Sequence, residues 1–228
     1  MKKLLTISAV LLAAALVFTG CSNPAANSGD EGEKLPGTWS SSVTYYNDYN
    51  QNGWTLKNNT ISYKCDDPTT LQIPTNKVQL LSLPISSDKI YGVNVKLKQA
   101  KFTDSEYGIL FLESGDSSDN TNSYYRLTLW QNSYILYEKL SGHAETLLSV
   151  NGEYQNIVNN AIKKEGEEND VLFYTEGEEL VLKINGTEIK RIANKLDKGR
   201  CHAYVRIPYD ATESIAINYN FVNFQTAK

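Results

Sequence analysis

Glu179-Leu180-Val181-Leu182-Lys183-Ile184-Asn185-Gly186-Thr187-Glu188-Ile189-Lys190-Arg191-Ile192 decides the fold. Two runs of aliphatic and β-branched residues flank Asn185-Gly186, and both turn residues accept the positive φ that a two-residue hairpin loop demands. Working outward, runs bounded by Gly, Asn, Asp or Pro recur at 60–65, 77–83, 90–99, 107–113, 124–130, 133–140, 171–176, 201–208 and 214–224, each reading as a strand. Gln131-Asn132 predicts a second hairpin. Helical spacing is confined to 153–164, where Ile157, Val158, Ala161 and Ile162 cluster on one side, so at most one short helix or turn is expected. Many strands, two hairpins and almost no helix predict an all-β chain, a two-sheet antiparallel β-sandwich.

Composition agrees. Fifteen tyrosines against one methionine and six prolines favour strands and aromatic contact surfaces. The net charge is −4 and basic residues are scattered among acidic ones, which excludes the basic stripe that nucleic-acid binding requires.

The amino terminus reads as a processing signal. Met1-Lys2-Lys3 is followed by an apolar run from Leu4 to Val17, shorter than the roughly 20 residues of a spanning helix, and then by small residues. Phe18-Thr19-Gly20-Cys21 resembles the bacterial lipobox, with Phe18 departing from its commonest form. The resemblance implies a signal peptide over 1–20, lipidation of Cys21, and anchorage to a bacterial cell-envelope membrane with the domain outside the cytoplasm. Residues 21–34 are polar and small, as a flexible tether would be, which leaves 35–228 for one β-sandwich domain. With Cys21 lipidated, Cys65 and Cys201 form an even pair in an oxidising compartment, and a disulfide between them is expected.

From Ile90 to Phe224 the order of motifs resembles the concanavalin A-like lectin and glucanase superfamily, including its laminin-G-like modules. Tyr107-Gly108-Ile109-Leu110-Phe111, a polar loop and Tyr124-Tyr125-Arg126-Leu127 are similar to two of its strands, and Ser133-Tyr134-Ile135-Leu136-Tyr137-Glu138 to the next. Ala161-Ile162-Lys163-Lys164, Asn169-Asp170-Val171, Gly177 and the hairpin at Asn185-Gly186 follow in the same order, then Lys198-Gly199-Arg200 and Ala203-Tyr204-Val205. The resemblance implies a jelly roll whose concave sheet binds sugars.

The Glu-x-Asp-x-x-Glu triplet of the superfamily's glucanases does not occur in the sequence, nor do the elbows and helices of other hydrolases. Asp104-Ser105-Glu106 and Glu176-Gly177-Glu178-Glu179 sit at turns and read as solvated charge. Asp48, Asn50 and Asn52, with Gly53, match the first half of a calcium loop, but position twelve is Asn59 where a bidentate Glu is needed; a polar turn is the simpler reading, and calcium is the one cofactor left open.

Period-2 alternation over 124–130 puts Tyr125, Leu127 and Leu129 on the core face and Tyr124, Arg126, Thr128 and Trp130 on the other. Aromatic rings stack on pyranose faces and a guanidinium bonds hydroxyls or a carboxylate, so Tyr124, Arg126 and Trp130 are candidate ligand-binding residues. The alternative is structural: Trp130 covered by loops and Arg126 paired across strands with Glu113 or Glu138. Tyr45, Tyr46 and Trp54, in an Asn-rich segment, are further binding candidates that could equally close one end of the sandwich. The expectation is a membrane-anchored, non-catalytic lectin-like lipoprotein recognising glycan. The alternatives are a protein-binding adhesin or accessory subunit of an envelope complex and, less favoured, a sugar-acting hydrolase.

Overall fold

Asn185 and Gly186 adopt φ of 51° and 79°, and the strands they join pair antiparallel with Ile184 opposite Thr187. In the computed structural model the residues described are 34–41, 48–51, 54–63, 79–81, 89–100, 105–115, 120–148, 157–164, 166–206 and 215–228. Their strands are β1 (Thr38–Ser40), β2 (Asp48–Gln51), β3 (Trp54–Lys57), β4 (Thr60–Tyr63), β5 (Gln79–Leu81), β6 (Gly92–Gln99), β7 (Glu106–Ser114) and β8 (Ser123–Trp130). The chain continues through β9 (Ser133–Lys139), β10 (Thr146–Leu147), β11 (Ile157–Val158), β12 (Glu168–Glu176), β13 (Glu179–Ile184), β14 (Thr187–Ala193), β15 (Arg200–Arg206) and β16 (Ile215–Ala227).

These form two antiparallel sheets. One runs β14-β13-β12-β6-β16-β4-β3-β2 with β1 on β16; the other runs β10-β9-β8-β7-β15-β5 with β11 on β9. The core lies between their inner faces. Val93, Val95 and Leu97 of β6 alternate inward with Val171 and Phe173 of β12, facing Ile109 and Phe111 of β7 and Tyr125, Leu127 and Leu129 of β8. Phe111 stacks on Phe173 across the interior at 4.6 Å between centroids. Tyr219 also crosses it, donating to the Tyr204 carbonyl at 2.7 Å, and its full burial drives the phenol pKa well above the ordinary value.

The Asn185 turn is fastened from below. Its side chain accepts from Asp170 N at 2.9 Å and donates to Ala161 O at 2.7 Å and to Asn169 Oδ1 at 2.8 Å; Asn169, fully buried, also exchanges hydrogen bonds with Lys163 N and O. Two asparagines thus satisfy the backbone of the 161–164 turn, where an aliphatic pair would leave polar groups unmatched.

Of the short helix or turn expected over 153–164 the described residues form the turn, and one further expectation is corrected. Among the described residues no helix occupies 157–164. Ile157–Val158 pairs with the edge of β9, and Asn159 then closes a turn, accepting from Ala161 N through its side chain and from Ile162 N through its carbonyl, both at 2.9 Å. Local side-chain bonding of this kind competes with helix; residues 153–156 lie outside the described set. The correction concerns the disulfide. Strand alternation points Cys201 inward beside Ala203 and Val205, where its free thiol is completely buried and burial pushes its pKa far up. Cys65 lies outside the described residues.

Candidate functional site

β8 alternates as its sequence demands. Tyr125, Leu127 and Leu129 are fully buried in the core, and Tyr124, Arg126 and Trp130 project from the outer face of the seven-stranded sheet, each partly exposed. Arg126 is the centre of this face. Its Nε and Nη2 donate to the two oxygens of Glu145 at 2.9 and 2.6 Å, a bidentate fork, and its Nη1 donates to the Tyr204 hydroxyl at 2.7 Å. The guanidinium carbon sits 4.0 Å from the Tyr137 ring centroid and 4.9 Å from that of Tyr204. Tyr124 completes the group by donating its hydroxyl to Glu145 Oε1 at 2.7 Å.

Register explains the assembly. Tyr137 lies directly across from Arg126 on β9, so their side chains share a face. Tyr204 is two strands away, opposite Gly108, which is itself opposite Thr128. A Cβ at Gly108 would stand 2.0 Å from the Leu127 carbonyl oxygen, so the position stays bare. The Tyr204 side chain crosses β7 to reach Arg126.

The electrostatics hold the group in one protonation state. Burial first, then the hydrogen bond and charge of Glu145, raise the Tyr124 phenol far above its ordinary pKa, and burial pushes Tyr204 up to about 12. Both remain protonated at neutral pH. Three of the five guanidinium N–H groups are spent on Glu145 and Tyr204, leaving two, and the Tyr204 hydroxyl, having accepted from Arg126, keeps its own proton to donate. Such a plate of fixed donors, a carboxylate and aromatic rings can take a polyhydroxylated ligand with little reorganisation.

No family model matches the sequence, and no curated protein matches it. Solved structures do. One described as a native glycosidic hydrolase superposes with a TM-score of 0.50 at 10% identity, covering 82% of this chain and 89% of that one. A Bacillus subtilis carbohydrate-binding module (0.48, 9% identity, 82% and 94% covered) and a Bacillus licheniformis beta-glucanase (0.48, 11%, 85% and 94%) are also similar. The fold is a two-sheet antiparallel jelly-roll sandwich.

Within this jelly roll the expected residues part company. Tyr124 and Arg126 meet in one cluster. Trp130 lies four residues along β8, about 13 Å from Arg126 at the rise of an extended strand, and the rings that contact the guanidinium are those of Tyr137 and Tyr204. Arg126 does not pair with Glu113 or Glu138: Glu113 is held by Arg200, and Glu138 accepts from Lys195 Nζ at 2.8 Å. Trp54 is corrected from a contact residue to a core residue, 2% exposed on β3, because alternation turns it inward with Leu56. Asp48 and Asn50 stand on β2, an extended strand paired with β3, where a calcium loop would have to curl around its ion. Tyr45, Tyr46 and Asn52 lie outside the described residues. Among the described residues no three His, Cys, Asp or Glu side chains are grouped to hold a metal ion.

Sequence reasoning missed Glu145, Tyr137 and Tyr204. Tyr137 was reachable, since carrying the 124–130 alternation through the Gln131-Asn132 turn places it beside Arg126. Glu145 sits in a connection after β9 and gives no periodic signal.

Proposed function

We propose that the chain is a glycan-binding lipoprotein of the bacterial cell envelope, tethered through Cys21, that holds sugar on the outer face of its seven-stranded sheet around Arg126. The carrying observation is the Arg126–Glu145 fork set against two tyrosine rings on a face pointing away from the core, with the Arg126 side chain only 11% exposed. Withdrawing a guanidinium and a carboxylate from water is expensive, and an apolar pair of the same size would serve the sandwich as well or better. Retention of the charges fits a role in recognition: ring faces for pyranose C–H surfaces, the spare guanidinium N–H groups and Glu145 for hydroxyls. The lipobox motif supports the anchor, and the polar 21–34 segment supports a tether.

A glycan array probed with the full chain in detergent, with and without calcium, tests this. Specific hits that vanish in Arg126→Ala and Tyr137→Ala are expected. A blank array, or hits indifferent to both substitutions, would contradict it.

A further inference from the structure

Leu112 breaks the alternation of β7. Phe111 and Leu112 both point into the core, Leu112 at φ 56°, and the register of β7 against both neighbours shifts beside this residue. The bulge is locked from β15's approach, since a Cβ at Gly199 would meet the Leu112 carbonyl carbon at 2.3 Å. Its consequence is to swing Glu113 onto the outer face, the re-aiming that bulges perform beside functional sites.

There Glu113 meets His202 and Arg200. Its Oε2 accepts from Arg200 Nε and Nη2 at 3.1 and 2.8 Å and lies 3.3 Å from His202 Nε2. Its Oε1 has no hydrogen-bond partner among the described residues. The His202 side chain is 8% exposed; its Nε2 faces Glu113 Oε2 at 3.3 Å, whereas its buried Nδ1 has no hydrogen-bond partner among the described residues. A buried ring nitrogen left unmatched is costly and calls for an explanation in a ligand. In register, His202 lies opposite Leu110 and Leu110 opposite Arg126, so the histidine and the arginine share one row, about 10 Å apart across two strand spacings.

Resting on the proposed sugar-binding role of this face, we propose that Glu113 and His202 form a second hydroxyl-binding subsite, and hence that the ligand is an oligosaccharide of two or more residues laid across the strands. Glu113 Oε1 accepts one hydroxyl; His202 Nδ1 accepts or donates according to its tautomer. Burial alone would raise the Glu113 pKa, but contact with His202 and then Arg200 outweighs it and the carboxyl is held below its ordinary range, ionised as an acceptor must be.

The test titrates the full chain in detergent with linear hexose oligosaccharides of one, two and three units, in the linkages found on the array. Affinity is expected to rise about tenfold from one unit to two, and His202→Gln and Glu113→Gln are each expected to erase that gain while leaving the one-unit affinity intact. The unchanged one-unit affinity doubles as the control for folding. Length-independent binding, or a gain that survives both substitutions, overturns the second subsite alone. Absence of binding by every oligosaccharide overturns it together with the sugar-binding role of the face.

Discussion

At Arg126 a single side chain carries three hydrogen bonds and two ring contacts, and only a planar fork can satisfy them together. Arg126→Lys keeps the charge and loses the bidentate geometry. We expect it to lower stability by about 1–3 kcal/mol, read as a drop of several degrees in Tm, and to abolish glycan binding as fully as alanine does. Glu113 belongs to the same scale. Its pKa is lowered from 4.5 in the folded state, so its stabilising contribution is present above the unfolded value and disappears as pH falls through the folded one. Thermal melts between pH 7 and pH 2 should therefore show a loss below pH 4.5 that is smaller in Glu113→Gln; equal slopes would contradict the Arg200 and His202 contacts. What the sequence discloses at this scale is orientation. Alternation read Arg126 as outward-facing and Tyr125 as core, but the partners of Arg126 come from 19 and 78 residues away, and local pattern cannot reach them.

Among the elements, glycines of different kinds set the strands. Gly186 has open space where its Cβ would be, so Gly186→Ala suffers only from its positive φ and should cost about 1–2 kcal/mol. Gly108→Ala drives a methyl group into the β8 backbone. Chemical denaturation should register a loss beyond the ordinary 0.5–3 kcal/mol of point substitutions, with glycan binding lost as β7 and β8 part. Equal effects at the two positions would refute the close approach. Every strand longer than four residues was legible, because each carries its own alternation and bounding turn. β2 and β3 were not: Asn52-Gly53 between them was read with Asp48 and Asn50 as a calcium-like polar turn, and the Asn58-Asn59 turn joining β3 to β4, at φ 49° and 60°, lacks the glycine that advertises a tight turn. Of the short helix or turn expected over 153–164, the described part forms the turn, because Ile157 and Val158 find an open edge at β9 and tertiary pairing overrides a weak helical period.

For the whole molecule, the two sheets divide the labour. The nine-stranded sheet supplies the other wall of the core, while the seven-stranded sheet faces outward with Arg126, Tyr137 and Tyr204. Cys21→Ser should shift the protein from the membrane to the soluble fraction on cell fractionation, and continued sedimentation with membranes would count against lipidation. The two-sheet sandwich was readable from the strands and hairpins, and the jelly roll from the resemblance of their order to a known superfamily. The proposed binding face was readable only in part, because it is assembled from β8, β9, β15 and the connection bearing Glu145, which converge only after folding. The most direct measurement is a crystal structure of the chain with an oligosaccharide that binds on the array. The sugar is expected on the outer face of the seven-stranded sheet, within hydrogen-bonding distance of Arg126, Glu145 or the Tyr204 hydroxyl; a sugar seated on the nine-stranded sheet, with the Arg126 cluster untouched, would contradict that assignment.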